Sequence, residues 1–293
     1  MADNNYLIDI QDKPSSSFSD FRKRLLRSKG AVFGASIIIL LIVCAILAPL
    51  IAPYGYDEMN LPEGLQAPSQ KHLFGTDELG RDIFSRVVFG SRISLQIATI
   101  AVGVSLIIGL VLGALAGYYG GIVDFGICAL TDTAWAFPMT LLAIAFIAAL
   151  GPGLVNVMIA VALVSWAGYA RLVRGQFLSL REQEFVEAAR VLGMSDMRII
   201  FRHILPNSLA PIIVLTTLEV PKAIIVESSL SFLGLGAQPP TPSWGSIISS
   251  GRSFIDTAPW ISFFPGLMIM LVVLGFNLFG DALRDALDPR LKD

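Results

Sequence analysis

The sequence predicts an all-α membrane protein with six transmembrane helices. Apolar residues make up 54% of the 293-residue chain and charged residues 15%, against roughly 25% charged residues in an average soluble domain. The apolar residues occur in long blocks, whereas a soluble amphipathic helix carries them as a stripe. Residues 184–206 interrupt these blocks with six charged side chains. We therefore expect a membrane-embedded bundle with one short polar hairpin, called the charged hairpin below.

Six segments reach the length of about 20 mostly apolar residues that a membrane-crossing helix needs. They are residues 31–53, 93–117, 122–150, 152–170, 209–235 and 258–280. In the second segment, small residues recur at every fourth position, which predicts close approach by another helix that the pattern does not identify. These residues are Ala101, Ser105, Gly109, Gly113 and Gly117.

The distribution of lysine and arginine predicts the orientation in the membrane. Residues 1–29, the loop 171–208 and the C-terminal tail hold 15 of these residues, whereas the loops on the other side hold 5. Cytoplasmic loops carry the excess of basic residues, so both termini and the charged hairpin are expected in the cytoplasm. The first span is expected to be a retained anchor, because its apolar run exceeds the roughly 7–15 residues of a signal-peptide core.

The charged hairpin is predicted to contain two helices joined by a turn. Residues 181–192 form one helix in this interpretation, with Glu184, Glu187 and Arg190 exposed and an apolar strip of Phe185, Ala188, Ala189 and Leu192. Gly193 accepts the backbone conformation that a tight turn requires. Ser195 or Asp196 can cap a second helix that starts near Met197, and Pro206 suits the entry of the fifth span.

Several functions have no support in the sequence. Cys44 and Cys128 lie apart in apolar segments and His72 and His203 stand alone, so neither a disulfide, a metal site nor a nucleophile is predicted. Glycine is never followed by lysine, so the chain lacks the loop that cradles nucleotide phosphates. The net charge of −2 does not indicate binding to nucleic acid. No catalytic residue or bound cofactor is expected.

The charged hairpin resembles the coupling loop of ATP-binding-cassette importer permeases. The resemblance rests on Glu187-Ala188-Ala189, on Gly193 and on Leu205-Pro206. Residues 72–82, 230–245 and 276–289 are similar to signatures of the dipeptide, oligopeptide and nickel importer permeases, and point to the second of the two permeases in such systems. The resemblance extends over the chain from about residue 30 to its end.

Two positions depart from the family pattern. His203 stands where importers in general tend to have an aliphatic residue, although the peptide branch often accepts histidine there. Ala129 stands where many relatives place an arginine, three residues before the aspartate that matches Asp132. Asp132 therefore needs another partner, and its role is not carried over.

The resemblance implies a type I importer permease fold in the bacterial inner membrane. It also implies a second permease, two ATPase subunits that bind ATP and Mg, and a periplasmic binding protein as partners. A separate ATPase pushing on the hairpin would tilt the attached helices and alternate access to a central path. The residues expected to dock on the ATPase are Glu184, Glu187, Ala188, Ala189, Gly193 and Arg198.

This topology divides the chain into five regions. They are a cytoplasmic N-terminal tail (1–29), a first transmembrane anchor (30–53), a periplasmic loop (54–92), a five-helix permease core (93–280) with the coupling loop 181–206, and a cytoplasmic C-terminal tail (281–293). The apolar pairs Ile83-Phe84 and Val87-Val88, with the arginines Arg81, Arg86 and Arg92, predict an amphipathic helix along the interface. Trp244 is expected to anchor the outer loop after the fifth span among the lipid head groups.

Charged residues inside the spans are candidates for a translocation path, because ionisable groups are costly in a bilayer unless paired or hydrated. The candidates are Glu219, Lys222, Glu227 and Asp132. Glu219 and Lys222 lie three residues apart and can neutralise each other. The alternative is that these charges make structural pairs, including pairs with a second permease.

The cargo expected from the resemblance is a short peptide or peptide-like solute. Nickel complexes, glutathione and opines remain alternatives, because similar signatures serve all of them. A different class of function is a secondary transporter driven by an ion gradient, which usually shows internal repeats of spans; no convincing repeat is visible. A third class is a membrane scaffold without transport.

Overall fold

Twelve α-helices follow one another in residues 17–287, the part of the chain that the computed structural model describes. They are α1 Ser17–Arg27, α2 Lys29–Ile46, α3 Ala48–Ile51, α4 Ile83–Tyr119, α5 Gly121–Trp135, α6 Met139–Leu150, α7 Leu154–Arg181, α8 Glu184–Val191, α9 Asp196–Ile199, α10 Leu205–Phe232, α11 Trp244–Gly251 and α12 Trp260–Leu287. Short 3₁₀ helices cover Leu61–Glu63 and Arg252–Phe254, and a π-helical turn, Ile200–Ile204, joins α9 to α10. The predicted N-terminal tail before residue 17 and the last six residues of the C-terminal tail lie outside the described residues.

The all-helical membrane fold predicted from the sequence is confirmed. Within residues 17–287, five helical segments are long and apolar enough to cross a membrane: α2, α4, α7, the continuous segment from α9 through α10, and α12. The pair α5 and α6 makes six if it is counted as one span. The third predicted span is therefore not a straight helix, because α5 and α6 meet at 93°. Pro138 lies at this bend with an extended backbone and cannot donate the N–H that a continuous helix requires.

Helices α4 and α7 form the centre of the bundle, and the small-residue ladder joins them. A Cβ atom added to Gly113 would lie 2.5 Å from the carbonyl oxygen of Ala170, and one added to Gly117 would lie 2.6 Å from Cβ of Phe177. Only glycine permits this separation between the two backbones. The predicted close approach is confirmed, and the partner helix is α7.

The segment before the second span differs from the prediction. Residues 83–92 are the first turns of the 37-residue helix α4, not a separate interfacial helix. Ile83, Arg86 and Val87 are buried there, because the loop before α4 and the segment around α11 pack over them. Trp244 is fully buried and its indole N–H donates a hydrogen bond to the carbonyl of Val87 at 3.1 Å. Trp244 therefore pins α11 to α4 and is not a head-group anchor.

Three other helix boundaries differ from the boundaries predicted from the sequence. The first span is broken at Leu47, and Pro49 lies in the first turn of α3, where a missing N–H is tolerated. Helix α7 continues to Arg181, well beyond the predicted end at residue 170, so Arg171 and Arg174 are helical and not part of a loop. Helix α12 runs to Leu287 and includes the start of the predicted C-terminal tail.

Candidate functional site

The charged hairpin is a helix–turn–helix at one end of the bundle, called the hairpin end below. The first helix, α8, starts at Glu184 and not at Arg181, because α7 ends before Glu182 and Gln183. Gly193 has φ +72°, as the turn prediction requires. The N–H of Met194 bonds to the carbonyl of Ala189 at 3.1 Å, the pattern of a glycine-terminated helix. The second helix, α9, starts at Asp196 with Ser195 at its N-cap position.

The hairpin has an inner and an outer face. Val186, Ala189 and Ile199 are buried against Val173 and Phe177 of α7. The predicted apolar strip is therefore split, because Ala189 faces the bundle while its companions face outward. The exposed residues include Glu184, Phe185, Glu187, Ala188, Leu192, Gly193 and Arg198. Of the predicted docking residues, all except Ala189 are thus open to a partner.

Two contacts attach the hairpin to the end of α4, and Arg181 at the end of α7 adds hydrogen bonds to the same end. The hydroxyl of Tyr118 donates to Oδ1 of Asp196 at 2.7 Å. The guanidinium of Arg190 lies 5.8 Å from the centre of the Tyr118 ring. Nη1 of Arg181 donates to the carbonyl oxygens of Gly117 and Tyr118 at 3.1 and 3.3 Å. Sequence reasoning missed Tyr118; the available signal was a tyrosine directly after the small-residue ladder, where a span ends.

Of the four predicted path residues, two pair with each other and one is enclosed. Nζ of Lys222 lies 2.8 Å from Oε1 of Glu219, as the spacing predicted. The side chain of Glu227 is fully buried, and it accepts hydrogen bonds from Ser231 at 2.7 Å and from Ser94 at 3.3 Å. Glu227 therefore lies inside the chain and does not line a path on its surface. It joins α10 to α4.

Asp132 finds its partner on α7. Nη2 of Arg171 lies 2.6 Å from Oδ1 of Asp132, and its guanidinium stacks 3.8 Å from the ring of Trp135. Both side chains of the ion pair are largely exposed on the surface of the chain. Arg171 thus provides the partner that Asp132 needs, because position 129 holds an alanine and not an arginine. The sequence pointed to Asp132 but not to Arg171, which had been counted as a loop residue.

A second arginine from α7 makes a neighbouring pair. Nη2 of Arg174 donates to Oδ2 of Asp124 at 2.7 Å, and its Nε donates to the other carboxylate oxygen. A cavity of about 260 Å³ lies between α5 and α7 beside both arginines. Cys128 also lines this cavity as a free thiol. Within residues 17–287, no group of three or more His, Cys, Asp or Glu side chains is placed to hold a metal ion.

Comparison with known proteins assigns this arrangement to a family. The model of the binding-protein-dependent transport system inner membrane component family matches residues 109–293. The model of the N-terminal TM domain of oligopeptide transport permease C matches residues 16–68. An inward-facing structure of the MetNI methionine ABC transporter superposes with a TM-score of 0.58 at 17% identity, covering 70% of this chain and 98% of that chain. At that identity, the superposition shows the fold alone.

Curated relatives are much more similar. The dipeptide transport system permease protein DppC of Alkalihalophilus pseudofirmus is 54% identical over 92% of this chain and 89% of its own length. The glutathione transport system permease protein GsiD of Pectobacterium atrosepticum is 46% identical over 97% of this chain and 95% of its own length. This chain therefore belongs to the family of binding-protein-dependent transport system inner membrane components and is a permease subunit of an importer.

Proposed function

We propose that this permease imports short peptides or peptide-like solutes, together with a second permease, two ATPases and a periplasmic binding protein. The observation that carries the proposal is the charged hairpin: its outer face is open to a partner, and its inner face is bonded to α4 and packed on α7. ATP and Mg belong to the partner ATPases in this proposal, and the permease couples to them by contact and not by catalysis.

The hairpin end faces the cytoplasm in this proposal, in agreement with the excess of basic residues on that side. A closing ATPase dimer moves the hairpin as a unit, because the turn at Gly193 and the contacts of Asp196 join its two helices to the bundle. The bond between Asp196 and Tyr118 transmits this motion to α4, and the packed ladder carries it to α7. Rigid helices then rock about the centre of the bundle and alternate access to the path.

The path, or the contact with the second permease, lies along the face that carries Asp132, Arg171 and Trp135. These side chains are exposed on the isolated chain, yet an exposed ion pair at membrane depth avoids lipid and faces a protein or a water-filled cavity. Lys222, which pairs with Glu219, is also exposed on the isolated chain. This pair therefore also faces a protein or a water-filled cavity. The names of the relatives, which refer to dipeptide and glutathione, support peptides as the cargo class.

Uptake by the complete importer in proteoliposomes tests this function. A radiolabelled dipeptide should enter only when ATP, Mg and the binding protein are present, and ionophores that dissipate ion gradients should not stop it. Uptake that proceeds without ATP and ceases with an ionophore would identify a secondary transporter instead. Co-purification with two ATPases and a second permease, together with uptake, would exclude a scaffold without transport.

A further inference from the structure

A cavity of about 480 Å³ opens at the end of the bundle opposite the hairpin. It lies between the loop before α4, the first turn of α4 and the segment from residue 237 to α11. Its polar wall is formed by Glu78, Arg81, Arg86, Thr241, Ser246 and Ser250. The volume falls within the roughly 300–1,000 Å³ typical of sites for small molecules.

One of the charges behind this wall is fully paired. Asp77 is completely buried, and its Oδ2 accepts a hydrogen bond from Nε of Arg81 at 2.7 Å. Its Oδ1 accepts the backbone N–H groups of Leu79 and Arg81, both at 2.9 Å. Asp77 and Arg81 therefore neutralise each other. The remaining charged groups of the wall are Glu78 and Arg86.

Two charged groups of the wall are incompletely paired. The side chain of Arg86 is 6% exposed, and its Nε lies 3.7 Å from Oδ2 of Asp77. Within residues 17–287, this Nε has no hydrogen-bond partner. Nη1 of Arg86 donates to the carbonyl of Tyr56 at 3.2 Å. Oε2 of Glu78 is buried without a hydrogen-bond partner in the described part of the chain, and its Oε1 lies 3.7 Å from Nη2 of Arg81. Buried polar atoms without partners are uncommon and costly.

We propose that this cavity binds a small zwitterion, an amino acid or short peptide, with its carboxylate at Arg86 and its ammonium group at Glu78. A side chain inserted by a docked protein carries one charge and satisfies only one of these two groups, whereas a free zwitterion satisfies both. The hydroxyls of Thr241 and Ser250 add polar contacts, and Met59 gives an apolar wall for the side chain of the ligand.

The site deepens the proposed function and rests on it for one point only, namely that this end faces the side from which cargo arrives. A peptide released there would meet a cavity that recognises its two termini, whatever its side chains. Such a site holds the cargo at the mouth of the path before the helices rock.

Titration of the full chain in lipid nanodiscs with alanyl-alanine, followed by calorimetry, tests the proposal. Saturable binding is expected, and N-acetyl-alanyl-alanine and alanyl-alanine amide should each bind about tenfold more weakly or worse, because each lacks one charge-assisted contact. Glu78→Gln should weaken alanyl-alanine by a similar factor. Met59→Trp, at a largely exposed position on the cavity rim, should block binding while leaving the buried charges in place. Asp57→Asn, exposed on the same loop and outside the cavity, is the control.

Absence of saturable alanyl-alanine binding would overturn the site. Two analogues that bind as tightly as alanyl-alanine would also overturn it, and so would two variants, Glu78→Gln and Met59→Trp, that both bind alanyl-alanine as tightly as the unchanged chain. If Glu78→Gln leaves alanyl-alanine binding unchanged but weakens capture of the cognate binding protein, the cavity is a protein contact and the zwitterion proposal is wrong. ATP-driven dipeptide uptake that stays normal while the cavity fails to bind rejects this site alone and leaves the proposed function intact.

Discussion

The hydroxyl of Tyr118, at the end of α4, donates a 2.7 Å hydrogen bond to the carboxylate of Asp196, at the start of α9. This contact joins the charged hairpin to a helix that crosses the whole bundle. The hairpin is otherwise held to the bundle mainly through α7 and through its continuation into α10. The bond therefore gives a force on the hairpin a direct route to α4.

Tyr118→Phe should weaken transport without preventing folding. The substitution keeps the ring but removes the hydrogen bond, whose net contribution is about 0.5–1.5 kcal/mol. We expect faster hydrogen exchange of the backbone amides in residues 184–199 and a lower rate of dipeptide uptake per ATP hydrolysed. Tyr119→Phe is the matched control, since Tyr119 is half exposed and adjacent. Equal behaviour of the two variants would remove Tyr118 from the coupling route.

Glu187→Arg should abolish ATPase association and uptake while leaving membrane insertion unchanged. Glu187 is exposed on the outer face of the hairpin, so the reversal of its charge alters the contact surface and not the core. Co-purification of the ATPases with the tagged permease measures the association. Asp285→Arg, an exposed charge reversal near the end of α12, serves as the control. Normal association and uptake in the Glu187 variant would refute the docking role of the hairpin.

Gly113→Ala should destabilise the protein by about 1–3 kcal/mol, because the added methyl group overlaps the backbone of α7. The thermal midpoint of the detergent-solubilised chain measures the loss. Gly103→Ala lies in the same helix with nothing within 4 Å of the added Cβ, and it should be neutral or slightly stabilising. A Gly113 variant as stable as the Gly103 variant would contradict the packing described for α4 and α7.

Glu227→Ala should lower the stability by at least about 2 kcal/mol, because the hydroxyls of Ser94 and Ser231 lose their acceptor inside the core. Glu227→Gln keeps an acceptor oxygen and should lose much less. Thermal unfolding of both variants separates these expectations. A stable Glu227→Ala protein that no longer transports would restore Glu227 as a path residue.

The charge swap of Asp132 and Arg171 tests the pair between α5 and α7. Arg171→Asp alone places two carboxylates side by side and should reduce uptake strongly, because the two like charges repel each other. The double variant, Asp132→Arg with Arg171→Asp, should recover part of the uptake by restoring an ion pair. No recovery would indicate that uptake requires the guanidinium to come from α7, where it stacks on Trp135.

Local pattern was sufficient for much of the fold. The spans were predictable because a bilayer demands about 20 apolar residues in a row, and the turn at Gly193 because few other residues accept its backbone conformation. The pair of Glu219 and Lys222 followed from helical spacing alone. The bend between α5 and α6 was harder to predict from the sequence, because a proline within an apolar run either kinks a helix or ends it.

Contacts between distant segments could not be predicted from sequence patterns. The hydropathy of residues 83–92 is the same whether they lie on a membrane surface or continue a span, and only the packing of Trp244 over α4 decides between the two. Arg171 is a loop residue or a helical one depending on where α7 ends, and its partner Asp132 lies 39 residues away.

The sequence by itself determined the all-helical membrane class, the presence of the charged hairpin and the family signatures, because these depend on composition and on short-range spacing. The tertiary structure alone decided which helix meets the small-residue ladder, which face of the hairpin remains open and which charges are enclosed. The physical reason is that burial and pairing depend on contacts between segments that are distant in the chain. A local sequence pattern does not specify which distant segment packs against it.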